Sequence, residues 1–127
     1  MEGEVTDMAK VYVIGAAKGG TAKTVSSYNL AYSLAEKGKK VLAVDMDPQA
    51  NLTTCFGVED TADVPITIGH LMMSVLEEEE LPDASEYVWE REGVDFIPAS
   101  MMLSAVDAKL RLEMGTEKIL SRILDEV

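Results

Sequence analysis

Two short groups of residues in this chain have the types and spacing to do chemistry together. The first is the run Lys18, Gly19, Gly20, Thr21, Ala22, Lys23, Thr24 and Val25, and the second is the pair Asp45 and Asp47. Glycine adopts positive φ and brings backbone close to a ligand, so successive N–H groups in such a loop can converge on a phosphate. A helix starting here would add its positive end, the Lys23 ammonium and the Thr24 hydroxyl, a combination suited to a triphosphate and its magnesium ion. Against the general pattern G-x-x-x-x-G-K-[ST] the match is imperfect, because Ala17 and Ala22 stand where glycines belong. Asp45 and Asp47, two residues apart on extended chain, project to one side and can both face the loop. The bland alternative is a strand-to-turn exit in which the two aspartates only cap and solvate.

The elements needed to position these groups can be read around them. Val11, Tyr12, Val13 and Ile14, closed by Gly15, predict a buried strand feeding the loop. From Thr24 to Lys37, Val25, Tyr28, Ala31, Tyr32, Leu34 and Ala35 recur at helical spacing, and Gly38 with Lys39 and Lys40 supplies the stop. Tyr28 and Tyr32 share a face and read as core rather than as a base-stacking site. A second strand, Val41 to Val44, delivers Asp45 and Asp47 at its C-terminal end, where open α/β sheets bind ligands.

With these residues in place the chain resembles the ParA/Soj family, the deviant Walker A ATPases of plasmid and chromosome partitioning. Lys18, Gly19, Gly20, Lys23 and Thr24 fit that family's K-G-G-x-x-K-[ST] loop, and Asp45, Met46, Asp47, Pro48, Gln49, Ala50 and Asn51 fit its D-x-D-P-Q-x-N element. The resemblance implies an α/β, P-loop NTPase-like fold of the SIMIBI class, with a mostly parallel sheet flanked by helices. It implies ATP/ADP and Mg2+ as cofactors, held by Lys18, Gly19, Gly20, Thr21, Ala22, Lys23, Thr24 and Val25. It places Thr24 and Asp45 at the metal, makes Asp47 the residue that positions or activates the attacking water, and sends Lys18 across a dimer interface to the partner's nucleotide. A homodimer or other oligomer, a ParB-like partner and a cytoplasmic location follow by the same resemblance. Two departures weaken the match: Ala22 replaces a glycine before the catalytic lysine, and Val25 replaces a hydroxyl residue that would reach the α-phosphate.

Composition bounds these expectations. The 127 residues are 47% hydrophobic and 27% charged, which suits one domain, 1–127, with a flexible tail over 1–9. No segment has the length of a membrane span, and the acidic start lacks an apolar signal core. The single cysteine, Cys55, cannot form an internal disulfide and reads as a small half-buried residue. The net charge of −12 falls after residue 54, where seventeen acids meet five bases, so this chain alone is a poor DNA binder.

Downstream, Leu52 to Phe56 predicts a short helix closed by Gly57, Asp60 to Pro65 a polar loop, and Thr67 to Glu78 a helix. His70, the only histidine, has no ligand partner in the pattern. Tyr87 to Trp89 and Val94 to Ile97 read as strands around Arg91, Glu92 and Gly93, with the Pro98 and Ala99 ending resembling the family again. Ser104 with Asp107 predicts a capping box for a helix to Glu113, and Gly115 and Thr116 open a final amphipathic helix through Ile119, Leu120, Ile123 and Leu124. The resemblance leads one to expect a fold truncated before the Walker B strand. Two functional classes remain: the N-terminal portion of a Mg-ATP-dependent ATPase with little or no turnover, or a non-catalytic module that self-associates through exposed sheet surface.

Overall fold

A computed structural model describes residues 21–110 and 116–127. The predicted first strand, the loop through Gly20, the tail over 1–9 and the Gly115 stop lie outside those residues. In chain order the elements are α1 (Thr21–Glu36), β1 (Leu42–Val44), α2 (Asn51–Cys55), α3 (Ile68–Leu76), β2 (Trp89–Arg91), β3 (Val94–Ile97), α4 (Met102–Leu110) and α5 (Thr116–Leu124). Single 3-10 turns at Thr61–Asp63 and Ala84–Glu86 complete the connections.

The strands order as β1-β3-β2, with β1 parallel to β3 and β2 antiparallel to it. Among the described residues the sheet is therefore mixed, an antiparallel hairpin strand added to the parallel pair. The cause is local: Glu92 and Gly93 both take positive φ, 52° and 90°, as a two-residue hairpin requires. Tyr87 is not in a strand either. It is fully buried, and its hydroxyl has no partner among the described residues.

Alternation along the strands builds two cores on opposite faces of the sheet. Val94 and Phe96 of β3 join Ala31, Leu52, Phe56, Val58 and Val64, with Tyr28, Tyr32 and Ala43 packed alongside. Ile97 instead joins Ile68, Leu71, Met72, Val106, Ile119 and Ile123, with Leu42 and Val44 packed alongside. Helices α1 and α2 thus cover one face, and α3, α4 and α5 the other. Each fully buried Ile or Leu contributes roughly 1.5–3 kcal/mol by leaving water. Tyr28 and Tyr32 are core, as expected: their rings lie 5.0 Å apart and both meet Phe56, which stacks on Phe96 at 4.5 Å.

Two expectations about small features fail. Ser104 lies inside α4 instead of capping it. The N-terminal turn is held by Ser100, whose Oγ accepts from the Met102 N–H at 3.4 Å and whose carbonyl accepts from the Leu103 N–H. A reciprocal cap occurs at α3, where His70 Nδ1 accepts from the Thr67 N–H at 3.0 Å. Cys55 is exposed rather than half-buried. No helix among the described residues is long and apolar enough to cross a membrane.

Candidate functional site

The site is built where β1 ends and α2 begins. Asp45 extends the strand ladder, its N–H donating to the Ile97 carbonyl at 3.3 Å, and its side chain turns inward to 4% exposure. A carboxylate so placed must be hydrogen-bonded. Its Oδ2 accepts from the Thr53 N–H at 2.8 Å and the Thr53 hydroxyl at 2.6 Å, while Oδ1 accepts from the Asp47 N–H at 3.1 Å. Burial pushes the Asp45 carboxyl above its ordinary value, and the bonds from Thr53 and Asp47 oppose that push.

Asp47 is oriented by the same turn but faces outward. Its Oδ1 accepts from the Gln49 N–H at 3.0 Å, and its Oδ2 from the Asn51 side-chain amide at 3.2 Å. The turn closes through Ala50, which takes φ 58° and donates its N–H to the Asp47 carbonyl at 2.8 Å. The two aspartates are thus divided by environment, one buried and saturated with donors, the other half-buried with acceptor capacity left.

The structure places the other expected residues as follows. Thr21, Ala22, Lys23 and Thr24 form the first turn of α1, so that helix spans the end of the candidate loop, three residues earlier than its periodicity predicts. The first-turn N–H groups of a helix have no intrahelical acceptor and can serve an anion. Thr24 is half-buried and Val25 is 47% exposed. Lys18, Gly19 and Gly20 lie outside the described residues. Helix α1 packs on α2, which carries Thr53, and so the two candidate groups are joined through one helical layer.

Thr53 is the residue that sequence reasoning missed. It lies with Leu52 and Phe56 on the buried side of α2, a hydroxyl within an apolar face, and such a group needs partners. A cleft of about 400 Å³ lined by Val75, Glu78, Glu79, Leu81, Lys118 and Arg122 shares no residue with this site. Among the described residues no three His, Cys, Asp or Glu side chains are grouped to hold a metal by themselves.

The chain that carries this arrangement has relatives among known proteins. A family model described as an AAA domain matches residues 9–127. The chain belongs to the AAA domain family. Within it the resemblance to ParA/Soj proteins holds. Over 94% of its length it is 35% identical to the sporulation initiation inhibitor protein Soj of Bacillus subtilis, and covers 46% of that protein. It is 38% identical over 81% of its length to a probable plasmid-partitioning protein ParA of Thermus thermophilus, covering 30% of it. This AAA domain chain therefore spans less than half the length of these curated relatives. Among solved structures it superposes on cobyrinic acid a,c-diamide synthase of Mycobacterium smegmatis, crystallised with an ATP analogue and magnesium. That match has a TM-score of 0.71 at 30% identity, over 85% of this chain and 42% of the other. Apo McdA of Cyanothece matches with a TM-score of 0.58 at 28% identity, over 74% and 35% of the two chains. The fold is accordingly the α/β fold of P-loop ATPases, here with a mixed sheet flanked by helices.

Proposed function

We propose that this chain is a ParA/Soj-like nucleotide-binding unit, the N-terminal half of a Mg-ATP-dependent dimerising ATPase of plasmid or chromosome partitioning, with little or no turnover in this form. The observation that carries the reading is the separation of roles at the end of β1, where Asp45 is locked inward and Asp47 is held outward. The relatives named Soj and ParA, and the ATP analogue and magnesium in a structural counterpart, support the same reading.

The oxygen donors fit a hard divalent cation. Magnesium is commonly held by one or two carboxylates, phosphates and several waters rather than by an all-protein cage. Thr24 would supply a hydroxyl to it, and Asp45 would order its surroundings through the turn. When bound, the ion neutralises charge developing on the phosphates. The chain's own residues do the rest: the α1 start and Lys23 bind phosphate, Lys18 bridges to a second copy, and Asp47 orients the attacking water. The partners in this reading are a second copy and a ParB-like protein, in the cytoplasm.

Calorimetric titration of Mg-ATP into the purified chain tests the proposal, with Lys23→Ala as control. Saturable binding abolished by the substitution is the expected result. Absence of binding by the parent chain would refute it and favour the self-associating module, for which the exposed apolar side chains Val25, Met46 and Met101 provide surface.

A further inference from the structure

We infer that Thr53 is a positioning residue for Asp47, its hydroxyl tying the Asp45–Asp47 turn to the end of β3. This inference rests on the reading of Asp47 as the water-orienting residue. Thr53 is fully buried, and its hydroxyl is used in both directions. It donates to Asp45 Oδ2 at 2.6 Å and accepts from the Ala99 N–H at 2.9 Å. Asp45 passes the constraint on through Oδ1, which receives the Asp47 N–H, and Asp47 in turn receives the Gln49 N–H and the Asn51 amide. One hydroxyl thereby sets the height of Asp45 relative to two adjacent parallel strands, and Asp45 sets the start of the turn that presents Asp47.

The neighbours of Ala99 give this link a rigid anchor. Pro98 accepts from the Ile68 N–H at 2.8 Å, fixing the start of α3, and Ser100 holds the first turn of α4. Ala99 itself is fully buried. The Asp47 turn is thus referenced to the packed core on the far face of the sheet rather than to its own exposed loop. Valine matches threonine in shape but leaves the Ala99 N–H unpartnered and removes one donor from Asp45, whereas serine retains both bonds.

The test compares Thr53→Val and Thr53→Ser with the parent chain by amide hydrogen exchange without nucleotide and by titration with ATP, with and without magnesium. Loss of a buried hydrogen bond of ordinary net strength corresponds to roughly tenfold in an opening equilibrium. Exchange at Asp47, Gln49 and Ala99 is therefore expected to rise by about that factor in Thr53→Val, with Leu71 and Phe96 unchanged and Thr53→Ser close to the parent. The magnesium-dependent part of ATP affinity is expected to fall in Thr53→Val and recover in Thr53→Ser. Unchanged exchange at Asp47 and Gln49 would overturn the inference. So would a uniform rise at all amides, which would make Thr53 a support of stability alone, or a Thr53→Ser variant as impaired as Thr53→Val. A parent chain that binds no Mg-ATP refutes the proposed function instead, and the exchange comparison still decides whether Thr53 holds the turn.

Discussion

Replacing Phe56 by alanine tests the packing that holds α1, which starts within the candidate loop, onto the sheet. Phe56 is 2% exposed, stacks on Phe96 at 4.5 Å with planes 10° apart, and meets Tyr28 and Tyr32 at 5.4 and 6.1 Å. Removing the ring forfeits about 2–3 kcal/mol of apolar transfer and about 0.5–1.5 kcal/mol from the stacked pair. The α1 side of the cavity consists of two tyrosines on a helix of sixteen residues, which can relax inward only in part. The expected cost is about 4 kcal/mol, within the usual range for Phe→Ala in a core. Urea unfolding followed by far-UV circular dichroism measures it, and thermal melting should show a fall of roughly 10–20 °C. A loss under about 1.5 kcal/mol with an unchanged urea slope would refute the idea that this aromatic cluster fastens α1 to the sheet.

Three further outcomes are expected. Asp47→Ala should leave Mg-ATP affinity within about threefold of the parent, since in the proposed reading this carboxylate orients water rather than holding nucleotide, and should abolish whatever slow hydrolysis a phosphate-release assay detects. Asp45 has a carboxyl raised by burial above its ordinary value, so over the range between the two the folded protein keeps a proton that the unfolded chain has lost. Its contribution to stability is fully present below the ordinary value and is lost as pH rises through the folded pKa, which carboxyl-detected NMR titration and urea unfolding at acid pH can follow. Gly93→Ala should destabilise by about 1–2 kcal/mol in urea unfolding, the cost of an L-residue at left-handed φ. Open space around an added Cβ there leaves backbone strain as the only cause.

The parts of the fold legible in the sequence were those with a strong period or a strong stop. Helix α1 emerged from the spacing of Tyr28, Ala31, Tyr32 and Ala35 and ended at Gly38, which takes φ 84°. Strand β1 and the placement of Asp45 and Asp47 at its end followed from a short apolar run, Val41 to Val44, meeting aspartates. The hydrogen-bonding details were less visible, because short polar side chains serve many local purposes at one spacing. Ser104 and Asp107 satisfied a capping pattern inside α4, while the reciprocal cap formed at Thr67 and His70, where imidazole stands in for a carboxylate. Cys55 follows the exposed side of a helix too short to show periodicity. Thr53 was hidden for the opposite reason: its β-branched shape suits an apolar face, and only the buried carboxylate beside it gives its hydroxyl a purpose.

Pairing of β1 with β3 also governs the order in which the chain can assemble. Leu42 meets Asp95 and Val44 meets Ile97, so the parallel ladder closes only after α2, α3 and the β2–β3 hairpin have been traversed. The hairpin can form from neighbouring residues, whereas the parallel pair must first overcome the closure entropy of that long excursion. The Asp45–Thr53–Ala99 contact sits at the mouth of this loop and cannot exist before the loop closes. Its formation therefore requires that closure, and the elements that create the candidate site come together at the same step that pairs β1 with β3.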